Sequence, residues 1–254
     1  MAESTIFCDF DGPIVDVSER YYATYCSALT QVKDSCSGVQ ASRLRYLSKS
    51  RFWTFKQNRL PDHQIAHWSG LEGSNIDHFL AEVSRIVNHQ SLLHYDRLQP
   101  RAQDGLDILR QCGIRVVLVT LRSPGQVIEF LHRHQLEWAI ADLFGMDSVE
   151  VAYRNQANHK IERLRAAIAV QHRHGYNLRD AWMIGDTEAD IMAGQTLNID
   201  TVAVTCGIRS RSYLQTFQPT QLIPDLWSAA QRLQQRITLG HTAKALGHGD
   251  PTID

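Results

Sequence analysis

The stretch Ile114-Arg-Val-Val-Leu-Val-Thr120 is the strongest strand signal in the sequence. It is rich in β-branched residues, which is typical of a central strand that is buried on both faces of a parallel sheet. Helical patterns over residues 102–112 and 124–134 flank it. A strand between two helices predicts parallel strands joined by right-handed crossovers, with helices covering the sheet.

Shorter strand signals recur along the rest of the chain. The first is Thr5-Ile-Phe-Cys8, and later ones fall near residues 139–144, 181–184 and 201–205, with helical patterns between them. This alternation predicts an α/β fold built on a doubly wound parallel sheet. Ligands bind such sheets beyond the carboxyl ends of the strands, so functional residues are expected at that edge.

A long helical block interrupts the alternation after the first strand. Apolar residues recur there at helical spacing, as at Tyr21, Tyr25 and Leu29, and no strand signal of any strength is present. The simplest interpretation is an all-helical subdomain inserted into the α/β core.

The chain is therefore predicted to have three parts. Residues 1–15 and 97–236 form the α/β core, and residues 16–96 form a helical cap. Residues 237–254 hold three glycines and one proline without any periodicity, which predicts a loose C-terminal tail.

The composition is that of an ordinary globular protein. Of 254 residues, 43% are hydrophobic and 21% charged, and 26 basic against 27 acidic side chains leave a net charge of −1. These values exclude fibrous and wholly disordered classes, and they predict no nucleic-acid partner. The longest strongly apolar run, Val116–Val119, is too short for a membrane span, and the acidic N-terminus is not typical of a signal peptide. We expect a cytoplasmic monomer or homodimer with no membrane partner.

Acidic side chains follow two of the predicted strands. Asp9 and Asp11 come directly after the first strand, and Asp186 and Asp190 follow the strand near residues 181–184. A cluster of carboxylates at one sheet edge repels itself, and a hard divalent cation such as Mg²⁺ is the usual compensation. The sequence therefore predicts a magnesium site that these four acids form.

Hydrogen-bond donors are placed near the same edge. Thr120 and Arg122 follow the central strand, and Lys160 lies at the start of the helix that leads to the strand near residues 181–184. Hydroxyl and ammonium groups are suitable donors to a phosphate, so Thr120 and Lys160 are predicted to bind a phosphoryl group.

Four motifs in chain order resemble those of one family. Residues 7–16, Phe-Cys-Asp-Phe-Asp-Gly-Pro-Ile-Val-Asp, resemble motif I of the haloacid dehalogenase-like (HAD) superfamily, and residues 116–120 resemble motif II. Lys160 matches motif III, and Gly185-Asp-Thr-Glu-Ala-Asp190 matches the Gly-Asp-x-x-x-Asp form of motif IV. The resemblance covers about residues 5–210, and phosphoglycolate phosphatase-like members carry a helical C1 cap where this chain has its helical block.

The resemblance implies a role for each of these residues. Asp9 is the expected nucleophile, which forms an aspartyl-phosphate, and Asp11 is the expected general acid and then base. Mg²⁺ is expected on Asp9, Asp186 and the backbone carbonyl of Asp11, with Asp190 in support. The phosphoryl oxygens are expected on Thr120 and Lys160, while Arg122 is either an extra phosphate contact or a solvent-facing side chain.

The function that the resemblance implies is a Mg²⁺-dependent phosphatase acting on a small phosphorylated metabolite. Two alternatives stay open on the sequence alone. The first is a phosphomutase of the β-phosphoglucomutase kind, in which the phosphoenzyme returns its phosphate to a sugar. The second is a non-catalytic protein that binds a phosphorylated ligand on the same fold.

One charged stretch falls in the predicted cap. Six basic residues occur within seventeen positions, without an acid among them: Arg43, Arg45, Lys49, Arg51, Lys56 and Arg59. A solvated helix face would explain this stretch. The alternative is that one or two of these bases bind a second anionic group of the substrate, beyond the phosphoryl centre.

Overall fold

The computed structural model describes residues 4–35, 44–146, 153 and 155–246. The strands are β1 (Ser4–Cys8), β2 (Val15–Asp16), β3 (Arg97–Leu98), β4 (Ile114–Val119), β5 (Asp142–Phe144), β6 (Trp182–Gly185), β7 (Asp200–Val204) and β8 (Gln221–Ile223). The α-helices are α1 (Ser18–Ser35), α2 (Lys49–Gln57), α3 (Asp62–Trp68), α4 (Ser74–Ile86), α5 (Ala102–Gln111), α6 (Pro124–Arg133), α7 (Ala157–Arg173), α8 (Glu188–Thr196), α9 (Arg211–Gln215) and α10 (Leu226–Leu246).

The main sheet has six strands in the order β5-β4-β1-β6-β7-β8, and all of its pairings are parallel. Alternate side chains of β1 enter different apolar clusters, because successive residues of a strand point to opposite faces. Ile6 and Cys8 pack with α5, α6 and α10, whereas Phe7 packs with α7 and α8. Helices therefore cover both faces, and the predicted doubly wound α/β fold is confirmed.

The strongest sequence signal is a central strand, as expected, because β4 lies between β5 and β1. The edge strand β8 was not predicted. It has three residues and pairs with β7, with Val202 opposite Gln221 and Val204 opposite Ile223. A strand this short shows no recognisable alternation, and its place in the sheet depends on the neighbouring strand.

Between the first strand and the rest of the sheet lies an insert that begins and ends in a two-stranded ribbon. β2 and β3 pair antiparallel, with Val15 opposite Leu98 and Asp16 opposite Arg97. The sequence predicted no strand in this block, since two residues are too few to show a pattern. Helices α1 to α4 and a 3₁₀ helix over Gln90–Tyr95 lie between the two strands of the ribbon.

The insert has an apolar core of its own, separate from the clusters that pack on the sheet. Tyr25 lies at its centre, with its ring stacked 4.9 Å from the ring of Phe52 and edge-on to Phe79. The Tyr25 hydroxyl accepts a hydrogen bond from the backbone of Leu47 at 2.9 Å and lies 2.8 Å from the hydroxyl of Ser69. The helical insert is thus held together by contacts that do not involve the sheet.

The prediction of a loose tail from residue 237 is wrong for its first part, because α10 continues to Leu246. Gly240 lies inside this helix, and a glycine there costs about 1 kcal/mol relative to alanine without ending the helix. The first proline beyond α10 is Pro251. Residues 247–254 lie outside the described part of the chain. Among the described helices, none is both long enough and apolar enough to cross a membrane.

Candidate active site

Three neighbouring strands bring functional side chains to one edge of the sheet. The order β4-β1-β6 places the carboxyl ends of these strands side by side. Thr120 follows β4, Asp9 follows β1 and Asp186 follows β6. The backbone N–H of Asp9 donates to the Ile184 carbonyl of β6 at 2.8 Å, which extends the strand pairing to Asp9. The parallel topology therefore assembles residues that lie 66 or more positions apart in the chain.

A triad of buried acids forms at this edge. Asp9, Asp186 and Asp190 each offer a carboxylate oxygen, and these oxygens all lie within 4.8 Å of one another. Burial raises the pKa of Asp9 to about 7, with Lys160 opposing and Asp190 adding to the shift. Burial and the two neighbouring carboxylates also raise the pKa of Asp186 well above its usual range. Three carboxylate oxygens held close together fit a hard cation.

The backbone packs tightly around Asp186. Its Oδ2 accepts a hydrogen bond from the N–H of Ile208 at 2.6 Å. A Cβ at Gly207 would lie 1.9 Å from the same oxygen, and a Cβ at Gly12 would lie 2.1 Å from the Asp186 Cγ. Gly12 also has a φ of +96°, which only glycine adopts without strain. Glycine at both positions leaves the carboxylate room to face the other two acids.

Asp190 is fixed by the start of helix α8. Thr187 is the N-cap of this helix, and Asp190 three residues later completes a capping box. The Asp190 Oδ2 accepts from the Thr187 backbone N–H at 3.1 Å and from the Thr187 hydroxyl at 2.7 Å. The other oxygen, Oδ1, faces Lys160. These hydrogen bonds at the start of α8 thus orient Asp190, one of the candidate metal ligands. Thr187 was not among the predicted site residues, although a threonine three positions before an acid is a visible capping signal.

Lys160 lies at the centre of the acids, near the first turn of α7. Its ammonium is 2.9 Å from Asp9 Oδ2 and 2.9 Å from Asp190 Oδ1, and it donates to the Val119 carbonyl at 3.1 Å. Burial alone would lower the pKa of this lysine, but Asp190 and Asp9 raise it above its usual value. The ammonium therefore stays charged and offsets part of the negative charge of the triad.

Asp11 does not belong to the acidic triad. Its Oδ1 accepts from Arg122 at 2.8 Å and its Oδ2 from Arg20 at 3.0 Å. Burial acts to raise the pKa of Asp11, but the two guanidiniums outweigh it and hold the pKa below its usual value. The resemblance implies that the backbone carbonyl of Asp11, and not its side chain, would bind the metal. The side chain could then have another role.

Thr120 and Arg122 lie side by side after β4. Both line the cavity above the triad, and the Thr120 hydroxyl accepts from the Arg122 backbone N–H at 3.2 Å. Arg122 is 3% exposed, so the solvent-facing alternative for this side chain is wrong. Its guanidinium points to Asp11 and to Asp96, the latter at 2.5 Å. The phosphate contact of Arg122 stays a prediction, for a side chain that lines the cavity.

The opposite wall of the cavity comes partly from the insert. Lys56 and Arg59 line it together with Arg209 of the core. The Lys56 ammonium is 2.8 Å from Asp62, while Arg59 and Arg209 share Glu188 at 3.0 and 2.8 Å. Burial lowers the pKa of Lys56, and Asp62 only partly opposes this shift. Three cations therefore face two carboxylates on this wall.

The other basic residues of the stretch point elsewhere. Lys49 pairs with Glu19, the Arg51 guanidinium lies 4.9 Å from the centre of the Trp68 ring, and Arg45 donates to the Trp68 carbonyl. Arg43 lies outside the described residues. The structure thus separates two cavity bases from a set that the sequence could not divide.

Comparison with known proteins places this site in a family. Residues 157–229, which include Lys160, Asp186 and Asp190, match a family model of HAD-hydrolase-like proteins. Over 251 residues the chain is 28% identical to a phosphoglycolate phosphatase of Psychrobacter arcticus, covering 89% of this chain and 93% of the relative. The part of the chain that holds Lys160, Asp186 and Asp190 is thus similar to the haloacid dehalogenase-like hydrolases. The predicted family and the predicted enzyme class, a phosphatase-type hydrolase, are confirmed.

Other known proteins are similar over nearly the whole chain. The pyrophosphatase PpaX of Bacillus mycoides is 21% identical, over 88% of this chain and 93% of the relative. The structure of a haloacid dehalogenase-like hydrolase from Streptococcus pneumoniae superposes with a TM-score of 0.64 at 17% identity, covering 91% of this chain and 98% of the other. At that identity the structural likeness supports the fold alone.

Several residues of this HAD site have no signal in the sequence. Arg20, Asp96 and Arg209 reach the cavity walls or their supports only through tertiary packing. Tyr153 lines the cavity as well, and its hydroxyl donates to Asp62. None of these four stands at a predicted strand end or in a family motif, so neither kind of sequence signal indicates them.

Proposed function

We propose that this HAD protein is a Mg²⁺-dependent phosphatase that acts on a small phosphorylated metabolite through an aspartyl-phosphate on Asp9. The observation that carries the proposal is the position of the Lys160 ammonium, 2.9 Å from both Asp9 and Asp190. A carboxylate is a weak nucleophile towards a phosphate ester unless nearby cations offset the negative charges. The buried acids and the buried lysine meet this requirement.

In the proposed reaction Asp9 attacks phosphorus, and the bond from phosphorus to the leaving oxygen breaks. Lys160 and the Thr120 hydroxyl bind the phosphoryl oxygens and keep the attacking carboxylate in line. Asp9, Asp186 and Asp190, with the Asp11 carbonyl, would hold Mg²⁺, which when bound neutralises charge on the phosphoryl group. Water then attacks the aspartyl-phosphate, which restores Asp9 and releases inorganic phosphate.

Asp11 is assigned to the proton transfers of this reaction. Arg20 and Arg122 lower the pKa of its carboxyl, so at neutral pH it is in the ionised form. An ionised carboxylate can accept the proton of the water that attacks the aspartyl-phosphate. The first step uses the protonated form of the same carboxyl, a minor species at neutral pH, which donates its proton to the leaving oxygen; the proton then accepted from the attacking water restores that form.

The helices between β2 and β3 are proposed to act as the cap of the site, which the sequence predicted over residues 16–96. The end of α2 docks on a core loop, where the Ser210 N–H donates to the Gln57 carbonyl at 2.8 Å and Arg209 donates to the Lys56 carbonyl at 3.3 Å. A cap held in this way excludes water from the reacting carboxylate. It also places its own side chains beside the leaving group.

The proposed substrate carries a second anionic group, a carboxylate or a second phosphate. Lys56, Arg59 and Arg209 outnumber their two acidic partners, which leaves one positive charge within this group of side chains at the cavity. Two of the similar proteins are named for phosphoglycolate and for pyrophosphate, and each of these compounds has a second anionic group. The chemistry of the wall and the names of the relatives thus favour the same class of substrate.

A phosphate-release screen of a metabolite panel, run with Mg²⁺ and again with EDTA, tests the proposed function. We expect release that depends on Mg²⁺ and is absent from the Asp9→Asn variant. Release that persists in that variant would exclude the aspartyl-phosphate, and no release from any compound would favour the non-catalytic alternative. A requirement for a sugar bisphosphate would instead favour the phosphomutase.

A further inference from the structure

Four charged side chains form a closed ring at the junction of insert and core. Arg20 contacts Asp96 at 2.7 Å and Asp11 at 3.0 Å, and Arg122 contacts the same two acids at 2.5 and 2.8 Å. Each guanidinium thus bridges both carboxylates, and each carboxylate bridges both guanidiniums. We call these four residues the arginine–aspartate ring.

Three members of the ring are shielded from solvent, and one is not. The side chains of Arg20 and Asp96 are fully buried and that of Arg122 is 3% exposed, whereas that of Asp11 is 29% exposed and faces the cavity. Removing one partner of a buried pair leaves an uncompensated charge, which is costly. The ring therefore has one accessible corner, and that corner is the group assigned to proton transfer.

The remaining nitrogens of both arginines are also engaged. Arg20 Nη1 donates to the Val87 carbonyl at 3.1 Å and to the side chain of Asn88. Arg122 Nε donates to Gln126 at 3.3 Å. Every guanidinium nitrogen thus has a protein acceptor, so each arginine is held from several sides.

We propose that Arg20 and Asp96 are positioning residues, which fix the carboxylate of Asp11 in the cavity through the arginine–aspartate ring. Arg20 lies on α1 and Asp96 directly before β3, so both belong to the insert, while Asp11 and Arg122 belong to the core. This inference rests on the proposed function, in which Asp11 transfers the proton. These two residues of the insert then contribute to the chemistry without touching the substrate themselves, because they hold one catalytic side chain in place.

The arginine–aspartate ring differs from a purely structural network because it fixes the orientation of the Asp11 carboxylate. A buried ionic network is often no more stabilising than a well-packed apolar one, but it does define the orientation of its members. Two charge-assisted hydrogen bonds, one to each oxygen, set both the position and the plane of the Asp11 carboxylate. Loss of the ring should therefore affect steps that need Asp11 and leave others unchanged.

A double-mutant cycle tests this inference. Arg20→Gln combined with Asp96→Asn removes one charge of each sign and keeps the Arg122–Asp11 pair, which limits the risk of misfolding. Hydrolysis of 4-nitrophenyl phosphate is measured with this pair of changes, with Asp11→Asn, and with all three. Tyr25→Phe, which breaks hydrogen bonds in the insert core away from the cavity, is the control for destabilisation.

The paired change should lower kcat about tenfold or more with KM within about twofold, and in the Asp11→Asn background it should change kcat less than about twofold. Tyr25→Phe should lower Tm and leave kcat unchanged. An equal loss of kcat in both backgrounds would overturn the inference, because Arg20 and Asp96 would then act independently of Asp11.

Crystal structures of the wild-type protein and of the paired variant provide a readout that does not require activity. We expect the Asp11 carboxylate to lie between both arginines in the wild type and to take another orientation in the variant. An unchanged Asp11 orientation would overturn the inference. If the wild-type protein hydrolyses no phosphate ester, the proposed function fails, and this comparison still decides whether the ring positions Asp11.

Discussion

Asp9 is the residue on which the proposed chemistry depends. Its carboxylate lies 2.9 Å from Lys160 and shares the triad with Asp186 and Asp190. Asp9→Asn should lower phosphate release on the order of 10³-fold or more, because an amide is a poor nucleophile and a poor metal ligand. The fold should persist, since the change removes a repelling buried charge. Circular dichroism and steady-state kinetics check this, with Asp104→Asn as the control; phosphate release near the wild-type rate would exclude Asp9 as nucleophile.

Gly207 is a second residue whose substitution should have a specific effect, on metal binding. A Cβ there would lie 1.9 Å from Asp186 Oδ2, so Gly207→Ala must displace either the carboxylate or the loop. Such changes around a metal ligand weaken metal binding by about 10- to 100-fold. We expect the Mg²⁺ concentration for half-maximal activity to rise by that factor. Gly125→Ala is the control, since its Cβ would meet nothing nearer than 3.9 Å; an equal Mg²⁺ requirement in both variants would contradict the expectation.

At the scale of an element, helix α2 presents different bases to different surroundings. Lys56 faces the cavity near its end and Arg59 follows just beyond, whereas Lys49 pairs with Glu19 and Arg51 lies over Trp68. A desolvated charge-assisted hydrogen bond contributes about 1.5–3 kcal/mol, so Lys56→Met or Arg59→Met should lower kcat/KM about 10- to 100-fold for a substrate with a second anionic group.

The same two variants should change turnover of 4-nitrophenyl phosphate less than about twofold, because this ester has no second anionic group to lose. Lys49→Met and Arg51→Met are matched controls on the same helix and should leave both substrates unaffected. If Lys56→Met and Arg59→Met leave the ratio of the two kcat/KM values unchanged, the cavity wall does not select the substrate.

At the scale of the whole molecule, the acidic triad couples metal binding to stability. Without metal, burial raises the pKa of Asp9 to about 7 and that of Asp186 above its usual range. An unfolded aspartate titrates near about 3.9, so the raised pKa values contribute stability at low pH that is lost as pH rises through about 7. The metal-free protein should therefore lose stability between acidic and neutral pH.

Mg²⁺ binds the ionised carboxylates and should reverse this loss. At a hundredfold excess over Kd the stabilisation is about 2.7 kcal/mol, which raises Tm by roughly 5–10 °C for a protein of this size. The shift should be larger at pH 8 than at pH 5.5, where protons compete for the triad. Thermal unfolding in Mg²⁺ and in EDTA at both pH values measures it; equal Tm values with and without Mg²⁺ at pH 8 would contradict a metal site at the triad.

The sequence by itself determined the α/β core and the acids and lysine of its edge. A strand is visible in local patterning, as at Ile114–Val119, and the residue that follows it must lie at the edge of the sheet. The strand pattern alone therefore places Asp9, Thr120 and Asp186 together, since parallel strands carry their carboxyl ends to the same side.

The tertiary structure alone decided which charges meet across the insert and the core. Arg20 and Asp96 are 76 residues apart and join Asp11 in the arginine–aspartate ring only because α1 and the segment before β3 pack against the sheet edge. The hydrogen bond from the Ser210 N–H to the Gln57 carbonyl likewise holds the end of α2 against the core. Lys56, one of several similar bases in the sequence, therefore lies at the cavity. Local patterns fix where a strand ends, but the pairing of distant side chains follows from how whole elements pack, and no short stretch of sequence encodes that.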